Sequence, residues 1–166
     1  MASCKRILVA VDQSVASRRA IAYVANMLGG KADFHVGLLH LELPPKMLEW
    51  GGSENPEIED KTSSERETAY QGLEKKAIHS GQRLLQELQG ILVEKRIDVA
   101  ARLVQFEEPL DPKTITNHIL QTAKDQEYGT VVVGRHSFSG LQHWFRHYVG
   151  EELVRAGKEV AIWVVE

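Results

Sequence analysis

Cysteine is almost absent from this 166-residue chain: Cys4 stands alone, so no intrachain disulfide can form. A lone thiol suits a reducing compartment. Nor is there a block of basic residues. Lys and Arg number 20 against 23 Asp and Glu, for a formal net charge of -3, which disfavours nucleic acid or an anionic membrane as partner. Long apolar runs are missing, and none approaches the length that spans a bilayer. The opening MASCKRILVAVDQS places two basic residues before an apolar stretch that Asp12 interrupts after Val11, and no small-residue cleavage site follows. A cytoplasmic location is expected. Internal repeats, low-complexity tracts and linker-like segments are also lacking.

What is present is ordinary for a globular chain: 43% hydrophobic and 26% charged residues. A chain of this length buries roughly 70% of its unfolded surface, so a core needs neither disulfide nor metal, and residues 1–166 are expected to form one domain. Ile7 to Val11 is continuously apolar and β-branched, as in a parallel strand covered on both faces. Ser14 is a plausible N-cap for a helix carrying Ile21, Val24, Ala25 and Leu28 at helical spacing, with Gly29-Gly30 as its stop. Phe34 to Leu41 predicts a second strand in which His35 and Gly37 are ordinary occupants. Glu42 to Ser63, with Pro44, Pro45, Gly51, Gly52 and Pro56, has no periodicity. A connection of this kind is a mobile surface excursion or a functional loop in which Met47 and Trp50 cover a site or a partner.

Ser64 to Glu67 fits a capping box that opens a long helix, with Leu73, Ala77, Leu84, Leu88 and Leu92 on one face. Gly72, Gly81 and Gly90 weaken that helix or let it pack closely on something. Ile97 to Phe106 predicts a third strand, and Asp111-Pro112 starts a helix with an N-cap and a proline in its first turn. A strand at Thr130, a helix to about Ala156 stopped by Gly157, and a last strand from Val160 to Val165 complete five strands and four helices. Strict alternation predicts an α/β fold with an open parallel sheet and helices on both faces. The terminal strand presents an apolar edge, which is expected to pair with a second copy in a homodimer or to be covered by the 42–63 loop.

In such sheets ligands sit beyond the carboxyl ends of the strands. Asp12, past the first strand, and Gly134, past the fourth, are placed there. Asp12 could accept from a ribose or base, or hold Mg²⁺ through water, or simply cap the helix turn together with Ser14. The segment TVVVGRHSFSGLQHWFRHYVG is a strand that reaches a helix through a glycine turn, the setting in which helix-start N–H groups hold phosphate.

The opening ILVAVDQSVASRRAIAYVANML and the closing VVVGRHSFSGLQHWFRHYVGEELVRAGKEVAIWVVE resemble the two ends of a universal stress protein domain. The resemblance covers nearly the whole chain apart from Glu42 to Ser63. It implies a Rossmann-like five-stranded sheet in the order 3-2-1-4-5, and commonly a dimer through the last strand. Nucleotide-binding members of that family carry Gly, two residues, Gly, nine residues, then Gly-Ser or Gly-Thr. Gly134 matches the first position; Ser137 occupies the second, and His147 and Tyr148 fall on the final pair. Gly140 and Gly150 have the same nine-residue spacing, but using them requires a three-residue shift that breaks the match at both flanking strands. Leu41 matches a position whose backbone meets the base.

These replacements bear on phosphate. Glycines permit close backbone approach and left-handed turns, whereas an imidazole at His147 fills that space and Tyr148 carries its hydroxyl too far. ATP binding is therefore expected to be lost or altered. The competing expectation is a nucleotide site remodelled around Asp12, backbone N–H groups and the charge of Arg135.

Catalytic signals are thin. His143, His147 and Glu151 share a helix face, but Trp144 follows His143, so no HExxH motif exists and His143 and His147 are only weak metal-ligand candidates. Ser137 and Ser139 near His136 lack a G-x-S-x-G elbow. A Walker A lysine is missing, as are the SGGxDS and HIGH signatures of related enzymes. The sequence reads as a non-enzymatic regulatory or stress-response module that acts by binding a protein partner or a small ligand.

Overall fold

The computed structural model describes residues 3–42, 62–106, 111–138 and 149–166. In chain order these form β1 (Ser3–Val11), α1 (Val15–Leu28), β2 (His35–Glu42), α2 (Ser63–Glu94), β3 (Asp98–Gln105), α3 (Pro112–Asp125), β4 (Tyr128–Gly134), α4 (Val149–Ala156) and β5 (Ala161–Val165). All strands pair in parallel in the order β3-β2-β1-β4-β5, as expected.

The two-residue period of a strand explains the unbroken apolar runs. Ile7, Val9 and Val11 point into one core with Val24 and Leu28 of α1 and Leu88 and Leu92 of α2. Leu8 and Ala10 point into the other, with Ile115 and Ile119 of α3 and Leu153 of α4. The two cores hold the sheet between helix pairs. β1 and β4 are neighbours, so the ends of these strands, Val11 and Gly134, lie side by side at the carboxyl edge.

Local chemistry sets the helix ends. Ser14 caps α1 by accepting from the Ser17 N–H, and Asp111 caps α3 by accepting from the Thr114 N–H at 2.6 Å, with Pro112 in the first turn. The Asp111 carboxyl is held below its usual range, chiefly by the Thr114 hydroxyl and N–H. α2 begins earlier than its Ser64–Glu67 pattern suggests. Its N-cap is Thr62, whose N–H and hydroxyl donate to Glu65 at 2.8 and 2.7 Å. The strands also differ at their ends: β1 starts at Ser3 rather than Ile7, and β5 at Ala161 rather than Val160.

The three glycines of α2 are not equivalent. A Cβ at Gly81 would lie 2.7 Å from His40 Cδ2 and 2.8 Å from Leu103 Cδ1, so this glycine brings the helix onto β2 and β3. Gly72 and Gly90 face open space. Gly90→Ala is accordingly expected to raise stability by about 0.5–1 kcal/mol, and Gly81→Ala to lower it, in urea unfolding. A loss at Gly90 would contradict this assignment.

Met47 and Trp50 of the long connection, and Ser139, Gly140, His143, Trp144, His147 and Tyr148, lie outside the described residues.

Candidate functional site

The β4–α4 turn and the β1–α1 turn meet over one carboxylate. Asp12 Oδ1 accepts from the Ser14 N–H at 3.1 Å, from the Ser17 hydroxyl at 2.7 Å, and from the Ser14 hydroxyl in a short contact. Asp12 Oδ2 accepts from the Phe138 N–H at 2.6 Å. The sequence leaves Asp12 with either a ligand role or a capping role. The carboxylate here holds the turn at the start of α1 and reaches across to the β4 turn.

Ser137 completes the cluster. Its side chain is 1% exposed, and its Oγ lies 2.9 Å from Ser17 Oγ. Ser17 has one hydroxyl proton, which goes to Asp12, and its oxygen accepts from the Asp12 N–H at 2.9 Å. Ser137 must therefore donate to Ser17. The proton that could have gone to a phosphate oxygen is directed into the protein.

Gly134 serves the same junction. A Cβ there would lie 2.5 Å from the Ala16 carbonyl oxygen and 2.7 Å from Ser137 Oγ, so the glycine lets the first turn of α1 approach β4. The turn continues with Ser137 N–H donating to the Gly134 carbonyl at 3.0 Å. It ends on Phe138 at φ +63, a left-handed conformation that a bulky residue rarely adopts. The Asp12 hydrogen bond and burial of the Phe138 ring, 5% exposed, offset that cost.

Arg135 and Leu41 are differently placed. The Arg135 N–H donates to the Val165 carbonyl at 2.7 Å, and its guanidinium pairs with the Glu166 carboxylate, which offsets the charge assigned to it. Leu41 is a core side chain, 2% exposed, in register with Val104 of β3. β1 ends opposite His40, so Leu41 lies one residue past that pairing, at the carboxyl edge of the sheet. Among the described residues no group of His, Cys, Asp and Glu could hold a metal ion. No helix among them is long and apolar enough to cross a membrane.

Two residues of this region escape a motif reading. Ser17 is one, although its place in the first turn after a capping serine is a signal. His40 is the other. It is 3% exposed, with Nδ1 3.0 Å from the Val11 carbonyl oxygen and Nε2 2.8 Å from the Glu42 carboxylate. His40 and Glu42 are two apart on one strand and so share a side, a spacing visible in the sequence. A carbonyl only accepts, so Nδ1–H donates to it, and Nε2 shares a hydrogen bond with the Glu42 carboxyl. Burial pulls the His40 pKa down, but the Glu42 hydrogen bond, the Val11 carbonyl and the charges of Glu42 and Asp12 outweigh burial and raise it above 6.5. A raised histidine pKa stabilises the fold fully below the unfolded value, and that contribution is lost as pH rises through the folded value. The unfolding free energy of wild type minus that of His40→Gln is thus expected to shrink as pH rises above about 6.5. A difference that stays flat as the solution is made alkaline would contradict the raised pKa.

Three comparisons place this geometry. Curated proteins give no sequence match. Solved structures give matches at low identity, which speak for the fold. A universal stress protein family member from Burkholderia pseudomallei has a TM-score of 0.61 at 18% identity, covering 98% of this chain and 96% of that one. The universal stress protein from Archaeoglobus fulgidus in complex with dAMP has 0.58 at 16% identity, covering 100% of both chains. A universal stress protein in complex with cAMP has 0.59 at 14% identity, covering 97% of this chain and 95% of that one. The profile of the Universal stress protein family matches residues 3–162. With nearly its whole length matched, and the sheet order and helix placement expected from the resemblance in hand, the chain belongs to the universal stress protein family.

Proposed function

We propose that this chain is a non-enzymatic stress-response module whose nucleotide site is closed by its own side chains. The observation that carries the reading is the state of Asp12. Donors from Ser14, Ser17 and Phe138 engage both of its oxygens, and Ser137 stands in the turn where the family's glycine motif would leave room. A ribose or base would have to displace these hydrogen bonds, each of which leaves a costly unpaired donor if broken. Titration calorimetry with AMP is expected to give no saturable heat. Saturable binding that weakens at least about tenfold in Asp12→Ala would overturn the reading.

The dAMP and cAMP complexes of two similar structures favour a second reading, in which the loop is remodelled and Asp12, the backbone of Leu41 and neighbouring N–H groups hold an adenine nucleotide. The same titration separates the two.

The module acts as a cytoplasmic homodimer built on the edge strand at Val160–Val165, through which it presents a surface to a protein partner or small ligand. β5 supports this because among the described residues it pairs only with β4, and Val164 and Val154 beside that edge are 38% and 57% exposed. Unpaired apolar edges are normally covered. In sedimentation, Val164→Lys is expected to be a folded monomer; a dimer of unchanged affinity would rule out pairing through this edge.

A further inference from the structure

A second feature of the molecule lies between α1 and α2, and none of its described lining residues belongs to the Asp12 cluster. It is a cleft of about 850 Å³. Lys75, Lys76, His79 and Arg83 line it from α2, with Arg18 facing them from α1. At 100° per residue, positions 75, 76, 79 and 83 fall within one 100° arc, so these four side chains share a face. Arg18 is engaged: its guanidinium forks onto Glu87 at 3.2 and 3.3 Å and donates to the Gln13 carbonyl at 3.0 Å. Lys75, Lys76 and Arg83 make no ion pair with any described residue. Concentrating three unpaired cations on one face of a chain whose net charge is -3 raises the potential there against the trend of the whole molecule.

We infer that this cleft binds an oligophosphate group, the charge-dense chain of two or three phosphates found in nucleoside polyphosphates and free polyphosphate. From Lys75 to Arg83 the helix rises about 12 Å, the reach of several phosphates in a row rather than one. Arg83 offers a fork that matches phosphate oxygens, and the two lysines add point charge. Gln13 and Ser80, hydrogen-bonded to each other at 3.0 Å, add neutral donors at the cleft wall. Among the described lining residues there is no apolar anchor, because the one hydrophobic residue, Leu84, is only 2% exposed. A docked peptide draws most of its affinity from buried aromatic and aliphatic anchors, so the lining favours a small anion over an acidic protein segment.

The test uses inorganic tripolyphosphate as probe, titrated by calorimetry at low ionic strength into three forms of the full chain. These are wild type, the cleft variant Lys75→Ala/Lys76→Ala/Arg83→Ala, and a control variant, Lys113→Ala/Lys124→Ala/Lys158→Ala, with the same change in charge. All six positions are exposed, so folding is expected to survive, and far-UV circular dichroism checks it. Wild type and control are expected to bind within about twofold of one another, and the cleft variant at least about tenfold more weakly, with wild-type affinity falling as salt rises. Absence of tripolyphosphate binding to wild type would overturn the inference. So would equal losses in the two variants, or tighter binding of a hexaglutamate peptide than of tripolyphosphate.

Discussion

Replacing Gly134 by alanine is expected to cost about 3 kcal/mol or more, among the largest single-site losses in the molecule. The added Cβ would lie 2.5 Å from the Ala16 carbonyl oxygen and 2.6 Å from its carbonyl carbon, in backbone that opens α1 and cannot swing aside as a side chain can. Overpacking usually costs about 1–3 kcal/mol, and more where the neighbour is rigid. The third neighbour, Ser137 Oγ at 2.7 Å, is itself tied to Ser17, so relief there breaks a buried hydrogen bond. Ser137→Gly in the same background removes one of these obstacles but leaves the Ala16 contact, so it is expected to recover only part of the loss. Urea unfolding of the three proteins measures this. A Gly134→Ala variant within about 1 kcal/mol of wild type would show that α1 does not rest on β4 as described.

Asp12→Ala is the second large effect, expected at about 2–4 kcal/mol. Hydrogen bonds to a charged group contribute about 1.5–3 kcal/mol, and a buried donor left without a partner costs about 1–3 kcal/mol. Deleting the carboxylate leaves the Phe138 N–H without its acceptor while Phe138 stays in a strained left-handed conformation. It also strands the Ser17 hydroxyl proton, and through it the Ser137–Ser17 bond. Asp12→Asn sharpens the test, because its carbonyl oxygen can serve Ser14 and Ser17 while its NH2 faces the Phe138 N–H, donor against donor. Asn should therefore recover part of the loss but not all. Full recovery by Asn would mean that the Phe138 contact carries little energy. Both substitutions read out as stability, which a carboxylate reserved for a ligand would not predict.

Much of the fold was legible because one physical signal dominated each element. Ile7–Val11 and Val131–Val133 are apolar at every position, as a strand between two helix layers requires, and both belong to interior strands of the sheet. Asp111 and Ser14 were readable as caps because each is an N-cap residue type placed directly before a periodic run, with Pro112 marking the first turn after Asp111. The start of α2 was not. Thr62 and Ser64 each have a Glu three residues on, so two frames satisfy the pattern, and only the backbone at Thr62 decides. Gly81 was indistinguishable from Gly72 and Gly90 because its meaning lies across space in His40 and Leu103. In the site, the loss of the second glycine was visible. What Ser137 does instead was not, since its partner Ser17 is 120 residues away.

Taken together, the family's architecture is retained while the carboxyl edge of β1 and β4 is tied inward. Gly134 admits the α1 backbone, Ser137 and Ser17 bridge the two turns, and Asp12 accepts from both sides. His40 adds an imidazole to the same edge, anchored to the Val11 carbonyl just before Asp12. On the reading proposed above, these contacts take up space that a bound nucleotide would need.

The most direct measurement is the nucleotide content of the protein as purified. Denature it, remove the precipitate, and quantify adenine nucleotides in the supernatant by chromatography. A site tied shut by Asp12, Ser17 and Ser137 predicts none above the level from an unrelated control protein. One adenine nucleotide released per chain, absent from Asp12→Ala prepared in the same way, would contradict the account.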